Sequence, residues 1–102
     1  MNHATMRASE RGEFFGLNQN EILLFANMGA EIALRRDEVF NFAVIVARRG
    51  QLGLFVLYVD GDPITTMARD VRNKRFNVGG MWQDLPVYSV IEWRRNNVPK
   101  VA

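Results

Sequence analysis

Arginine dominates the reactive side chains of this chain, and it gathers in the second half. Arg69, Arg72, Lys74 and Arg75 form the densest group, and eleven of the thirteen basic residues are Arg. Its planar fork takes carboxylates and phosphates bidentately and stacks on aromatic rings better than Lys does. On a helix capped by Asp62, Arg69 and Arg72 share one face, and Lys74 and Arg75 follow near the negative end of the dipole. Such a ladder tracks phosphates or an acidic protein surface, above all if Arg48 and Arg49, or Arg94 and Arg95, point the same way. A solvated helix face would carry the same residues, Asp70 interrupts the ladder, and the net charge is only +2. Phe76, Trp82, Tyr88 and Trp93 lie among these cations, and an aromatic sheet beside Arg can stack bases. Core packing accounts for most of them. Trp82, expected on a loop with Gly79-Gly80, is the exception, an aromatic either folded back as a lid or offered to a partner.

Catalytic equipment is sparse. The lone histidine, His3, lies in an aperiodic N-terminal stretch, and there is no cysteine, so thiolate nucleophiles, disulfides and thiolate metal sites are excluded. The hydroxyls Thr5, Ser9, Thr65, Thr66 and Ser89 have no evident activating base, and the carboxylates Asp60, Asp62, Asp70, Asp84 and Glu92 are scattered. Asp60 and Asp62 flank Gly61, but Ile64-Thr65-Thr66-Met67 follows where a calcium loop needs further oxygens. Gly79-Gly80 matches neither a dinucleotide fingerprint nor a P-loop. The expectation is a non-enzymatic protein with no catalytic residue, cofactor or metal, and no stretch carries the motif of a known family.

The elements that must position the arginines are set by two apolar runs, 39–47 and 52–59, facing each other across Arg48-Arg49-Gly50-Gln51. They read as a hairpin, and both of its faces are oily. Phe40, Phe42, Val44 and Val46 alternate with Val39, Ala43 and Ile45, so both sides need cover. Leu17-Asn18-Gln19-Asn20-Glu21-Ile22 starts a helix, with Asn18 as cap, Glu21 reaching back and Leu17 stapling onto Ile22. The stripe Ile22, Phe25, Ala26, Gly29, Ile32, Ala33 makes it a buried helix. Gly29 reads as a close-packing site within a helix running to about Leu34, in preference to a stop before a short strand at 31–35. Asp62 and Pro63 suit the cap and first turn of a second helix carrying Ile64, Met67, Ala68 and Val71 inward, with Asp70 and Lys74 placed to pair. Residues 76–86 read as a loop, 87–93 as a third strand, and 94–100 as a polar tail.

These readings predict one α+β domain over 14–95, in the order α-β-β-α-β, with a mobile arm at 1–13 and a polar tail at 96–102. A mainly antiparallel sheet of about three strands, centred on the hairpin, packs against two helices. Either the first helix covers the sheet's second face or a second copy does so through Phe40, Phe42, Val44, Phe55 and Leu57. Residues 1–38 carry a balance of −2 and residues 39–102 one of +4, so the positive surface is C-terminal. The start of the chain lacks the apolar core of a secretory signal, and neither apolar run is long enough to span a bilayer. Together these suggest a soluble cytoplasmic binding protein, an inhibitor or regulator. It would dimerise and engage a protein partner through Arg48, Arg49, Arg69, Arg72, Lys74, Arg75, Trp82, Arg94 and Arg95. Nucleic-acid binding through the same Arg cluster is the alternative.

Overall fold

Asn18 begins the long helix as the spacing requires. Its Oδ1 accepts the Glu21 amide at 2.9 Å, and the Glu21 carboxylate accepts the Asn18 amide at 3.2 Å, completing a capping box. The computed structural model describes residues 11–97. In chain order these form α1 (residues 11–15), α2 (Gln19–Glu31) running into a π-helical turn (Ile32–Arg36), β1 (Phe42–Arg49), β2 (Leu52–Val59), β3 (Asp62–Asp70), β4 (Arg75–Val78), β5 (Met81–Asp84), β6 (Val87–Ser89) and α3 (Ile91–Asn97). The expected arm falls mostly outside the described residues, but its last three residues are helical, and Arg11 donates to the Thr66 carbonyl.

The architecture is a small α+β domain with a mainly antiparallel four-stranded sheet in the order β3-β2-β1-β6, and a separate β4-β5 ribbon. The hairpin forms where expected, Phe42 opposite Tyr58 and Arg49 opposite Leu52, with a bulge at Val46. β6 joins β1 in parallel, Val44 beside Tyr88. Gly29 is internal to α2. A Cβ built there would lie 2.7 Å from Val44 Cγ1, so the glycine lets the helix settle onto the sheet.

Residues 62–70 are a strand, where a second helix was expected. Asp60 (φ 52°) and Gly61 (φ 84°) form a two-residue hairpin turn, the Asp-Gly chemistry whose left-handed pair matches the strand twist. Ile64-Thr65-Thr66 then resist a helix because branching at Cβ restricts their χ1. Pro63 is tolerated because β3 is an edge strand. Residues 76–86 likewise form most of a ribbon where a loop was expected, turned by Gly79 (φ 62°) and Gly80 (φ 85°). The last expected strand ends at Ser89, whose Oγ accepts the Ile91 amide at 3.4 Å as α3 begins. The expected polar tail is therefore helical as far as Asn97.

Both oily faces of the hairpin are closed within one chain. Phe42, Val44, Leu54, Val56 and Tyr58 pack beneath α2 against Ile22, Ala26, Ala30 and Ala33. Ala43, Ile45, Phe55 and Leu57 pack beneath the ribbon, through Phe76 and Leu85. Neither the first helix nor a second copy covers that face; the 76–86 segment does. Phe42, Val44, Phe55 and Leu57 are fully buried, which removes them as self-association contacts, and only Phe40 of that set is exposed, at 57%. No helix among the described residues is long and apolar enough to cross a membrane.

Candidate basic interface

Strand register decides which arginines meet. Arg48 opposes Gly53 on β2, and Gly53 opposes Arg69 on β3, so the three form a row on one face. With two strand spacings between them, Arg48 and Arg69 stand about 10 Å apart at the backbone, with no side chain between. It is the face covered by the ribbon, because a Cβ on Gly53 would meet Ile45 and Phe55. Arg49 falls on the opposite face. Its guanidinium lies 4.5 Å over the Phe14 ring and donates to the Phe14 carbonyl at 3.1 Å, which ties α1 to the sheet.

The turn from β3 to β4 brings Arg72 and Lys74 beside Arg48. The Val71 amide donates to the Gln51 carbonyl at 2.8 Å, locking this turn to the tip of the β1-β2 hairpin. Asp70 Oδ1 accepts the Arg72 amide at 2.8 Å and its guanidinium at 3.2 Å, while Asn73 Nδ2 donates to the Arg75 carbonyl at 3.1 Å. Hydrogen bonds from Arg72 hold the Asp70 carboxyl below its ordinary value, and the same bonds raise Arg72. Asp70 thus pairs with Arg72 in a turn, not with Lys74 along a helix.

Arg48, Arg72, Asn73, Lys74 and Ser89 rim a cavity of about 360 Å³ whose floor is Ile45, Val71, Val87 and Ile91. Arg48 donates through Nε to the Gly50 carbonyl at 3.0 Å. Neither Arg48 nor Lys74 pairs with a carboxylate among the described residues. The arrangement offers cations around an apolar floor, which suits an acidic side chain entering with its methylenes down.

The ribbon extends this end. Arg75 opposes Asp84 and Asn77 opposes Trp82, all four exposed, so Arg75 and Trp82 share its outer face. Trp82 is 55% exposed, so it is not folded back into the core, and it sits on a strand where a loop was expected. Arg94 and Arg95 belong elsewhere: Arg94 lies 5.7 Å over Phe25 with its Nε buried and without a hydrogen bond, and Arg95 pairs with Glu92 at 3.6 Å. Glu92 is on an exposed helical turn and not on a strand.

Of the nine expected contact residues, the structure places Arg48, Arg72 and Lys74 on one cavity, Arg69 in a row with Arg48, and Arg75 with Trp82 on the outer face of the ribbon, and leaves Arg49, Arg94 and Arg95 elsewhere. Asn73 and Ser89 complete the rim and were missed, because their position depends on the turn at 70–74 and on β6 lying beside β1. Reading Asp60-Gly61 as a hairpin turn would have put Asn73 in the turn after β3, whereas Ser89 is placed by the parallel pairing of β6 with β1. Among the described residues no group of acidic or histidine side chains could hold a metal ion. Comparison with protein-family models, curated proteins and solved structures finds no match to this chain.

Proposed function

We propose that this chain is a non-enzymatic, cytoplasmic binding domain that engages an acidic surface of a protein partner through the basic end of its sheet, as an inhibitor or regulator. The observation that carries the proposal is the convergence of Arg48 from β1 with Arg72 and Lys74 from the β3-β4 turn on one apolar-floored cavity. An apolar floor with charges confined to the rim favours a folded side chain over a run of phosphates, which wants cations along an open track. Arg75 beside Trp82 on the ribbon favours the second reading, nucleic-acid binding, since a ring next to a cation can stack a base.

Fluorescence anisotropy with a labelled Glu-rich peptide and a labelled single-stranded oligonucleotide separates the two. The first reading expects saturable peptide binding weakened about tenfold or more in R48E/K74E, since two exposed ion pairs of about 0.2–1 kcal/mol each turn into repulsions. Oligonucleotide binding that exceeds peptide binding, falls steeply with salt and is lost in W82A would establish the second reading instead. Equal peptide affinity in R48E/K74E and the unaltered protein would overturn the first.

A further inference from the structure

A second cavity, of about 360 Å³, lies on the other side of β6, where the π turn faces α3. Its walls are Met28 and Ile32 from the helix and Val90 and Trp93 from the β6-α3 junction. Two arginines and one carboxylate, Glu31, line its mouth. Arg35 is occupied by Glu31 at 3.2 Å, one turn earlier, whereas Arg36 forms no ion pair among the described residues. The turn that carries both is wide, closed by the Asp37 amide on the Ile32 carbonyl at 3.2 Å, and such turns recur at binding sites.

The groove therefore has an apolar interior, a single uncompensated guanidinium at its entrance, and the volume of a small-molecule pocket. We propose that it binds a small apolar carboxylate, a medium-length acyl or aromatic acid, with the tail between Ile32 and Trp93 and the carboxylate on the fork of Arg36. This site adjoins the basic interface at Ser89, which lines both cavities, but it uses none of the rim cations.

The two tryptophans make the test internally controlled, because Trp93 lines the groove and Trp82 lies on the ribbon. Decanoate is titrated below its micellar concentration while the two indole N–H signals are followed by NMR, with decanol as the uncharged comparison. The expected result is a saturable shift of the Trp93 signal with Trp82 unmoved, weaker binding of decanol, and a loss of about tenfold in decanoate affinity in R36A. Arg36 is exposed, so R36A should melt like the unaltered protein. A Trp93 signal that does not move, decanol binding as tightly as decanoate, or undiminished decanoate affinity in R36A would each overturn the proposal.

Discussion

Phe76→Ala is the sharpest test of how this sheet is closed. Phe76 is 1% exposed, and its ring meets Phe55 edge-on at 5.7 Å, with the planes at 63°. Truncating a buried Phe to Ala costs about 3–5 kcal/mol, the loss of the aromatic pair included. A domain of this length is stable by about 5–15 kcal/mol in total, so the substitution removes about a fifth of that or more. Urea unfolding followed by circular dichroism measures the loss. If F76A does not fold, F76L keeps most of the volume and should cost under about 1.5 kcal/mol. Trp82→Ala, one register position along the same ribbon and on its exposed face, should cost under about 0.5 kcal/mol. The folded fraction of F76A should bind a hydrophobic dye and self-associate, because Phe55 and Leu57 lose their cover. If F76A were no more damaging than W82A, the ribbon would not be a structural layer and the second face would need another cover.

Two further expectations follow from the packing. Gly29→Ala should destabilise by about 1 kcal/mol in urea melts, because overpacking against Val44 and Val90 outweighs the helix propensity gained, and V44A should relieve most of it in a double-mutant cycle; a stabilised G29A would show that α2 does not press on the sheet. Burial pushes the Tyr58 hydroxyl above its ordinary range, while it donates to Asn27 Oδ1 at 2.9 Å. The folded state then holds this proton more tightly than the unfolded chain, so its stabilisation is complete below about pH 10 and declines above it by about 1.4 kcal/mol per pH unit. Y58F should flatten that decline in alkaline melts and cost about 1 kcal/mol at neutral pH; an unchanged alkaline slope would refute the assignment.

What could be read from the sequence was what local chemistry decides. Asn18 with Glu21 fixes a helix start through two hydrogen bonds within four residues, and the runs on either side of Gly50-Gln51 pair because no other arrangement hides both. The failures share one cause. At Asp60-Gly61-Asp62-Pro63 two local codes overlap, a helix cap with proline and a left-handed hairpin turn, and the spacing of Ile64, Met67, Ala68 and Val71 fits a helix. The β2 edge decided the outcome, since eight of its residues gain partners only if 62–70 is extended. Once that segment becomes a strand, the arginine ladder dissolves. Arg69 joins Arg48 across the sheet, and Arg72 turns back onto Asp70.

The proposed interface has a better preorganised backbone than the ladder would have had. On a solvated helix, four long cations would each lose rotamer freedom on binding, about 0.5–1.5 kcal/mol per side chain. Here the backbone of the β3-β4 turn is held from both ends, by Val71 on Gln51 and by the Leu85 amide on the Lys74 carbonyl at 2.8 Å, while Asp70 fixes Arg72. The second of those bonds comes from the segment that closes the core, since Leu85 packs beside Phe55 and Phe76. Ribbon and basic end are therefore one mechanical unit. Loosening Phe76 loosens the loop that presents Lys74, so, if the proposed binding holds, F76L should weaken binding of the Glu-rich peptide in the anisotropy assay although Phe76 is buried beneath the rim.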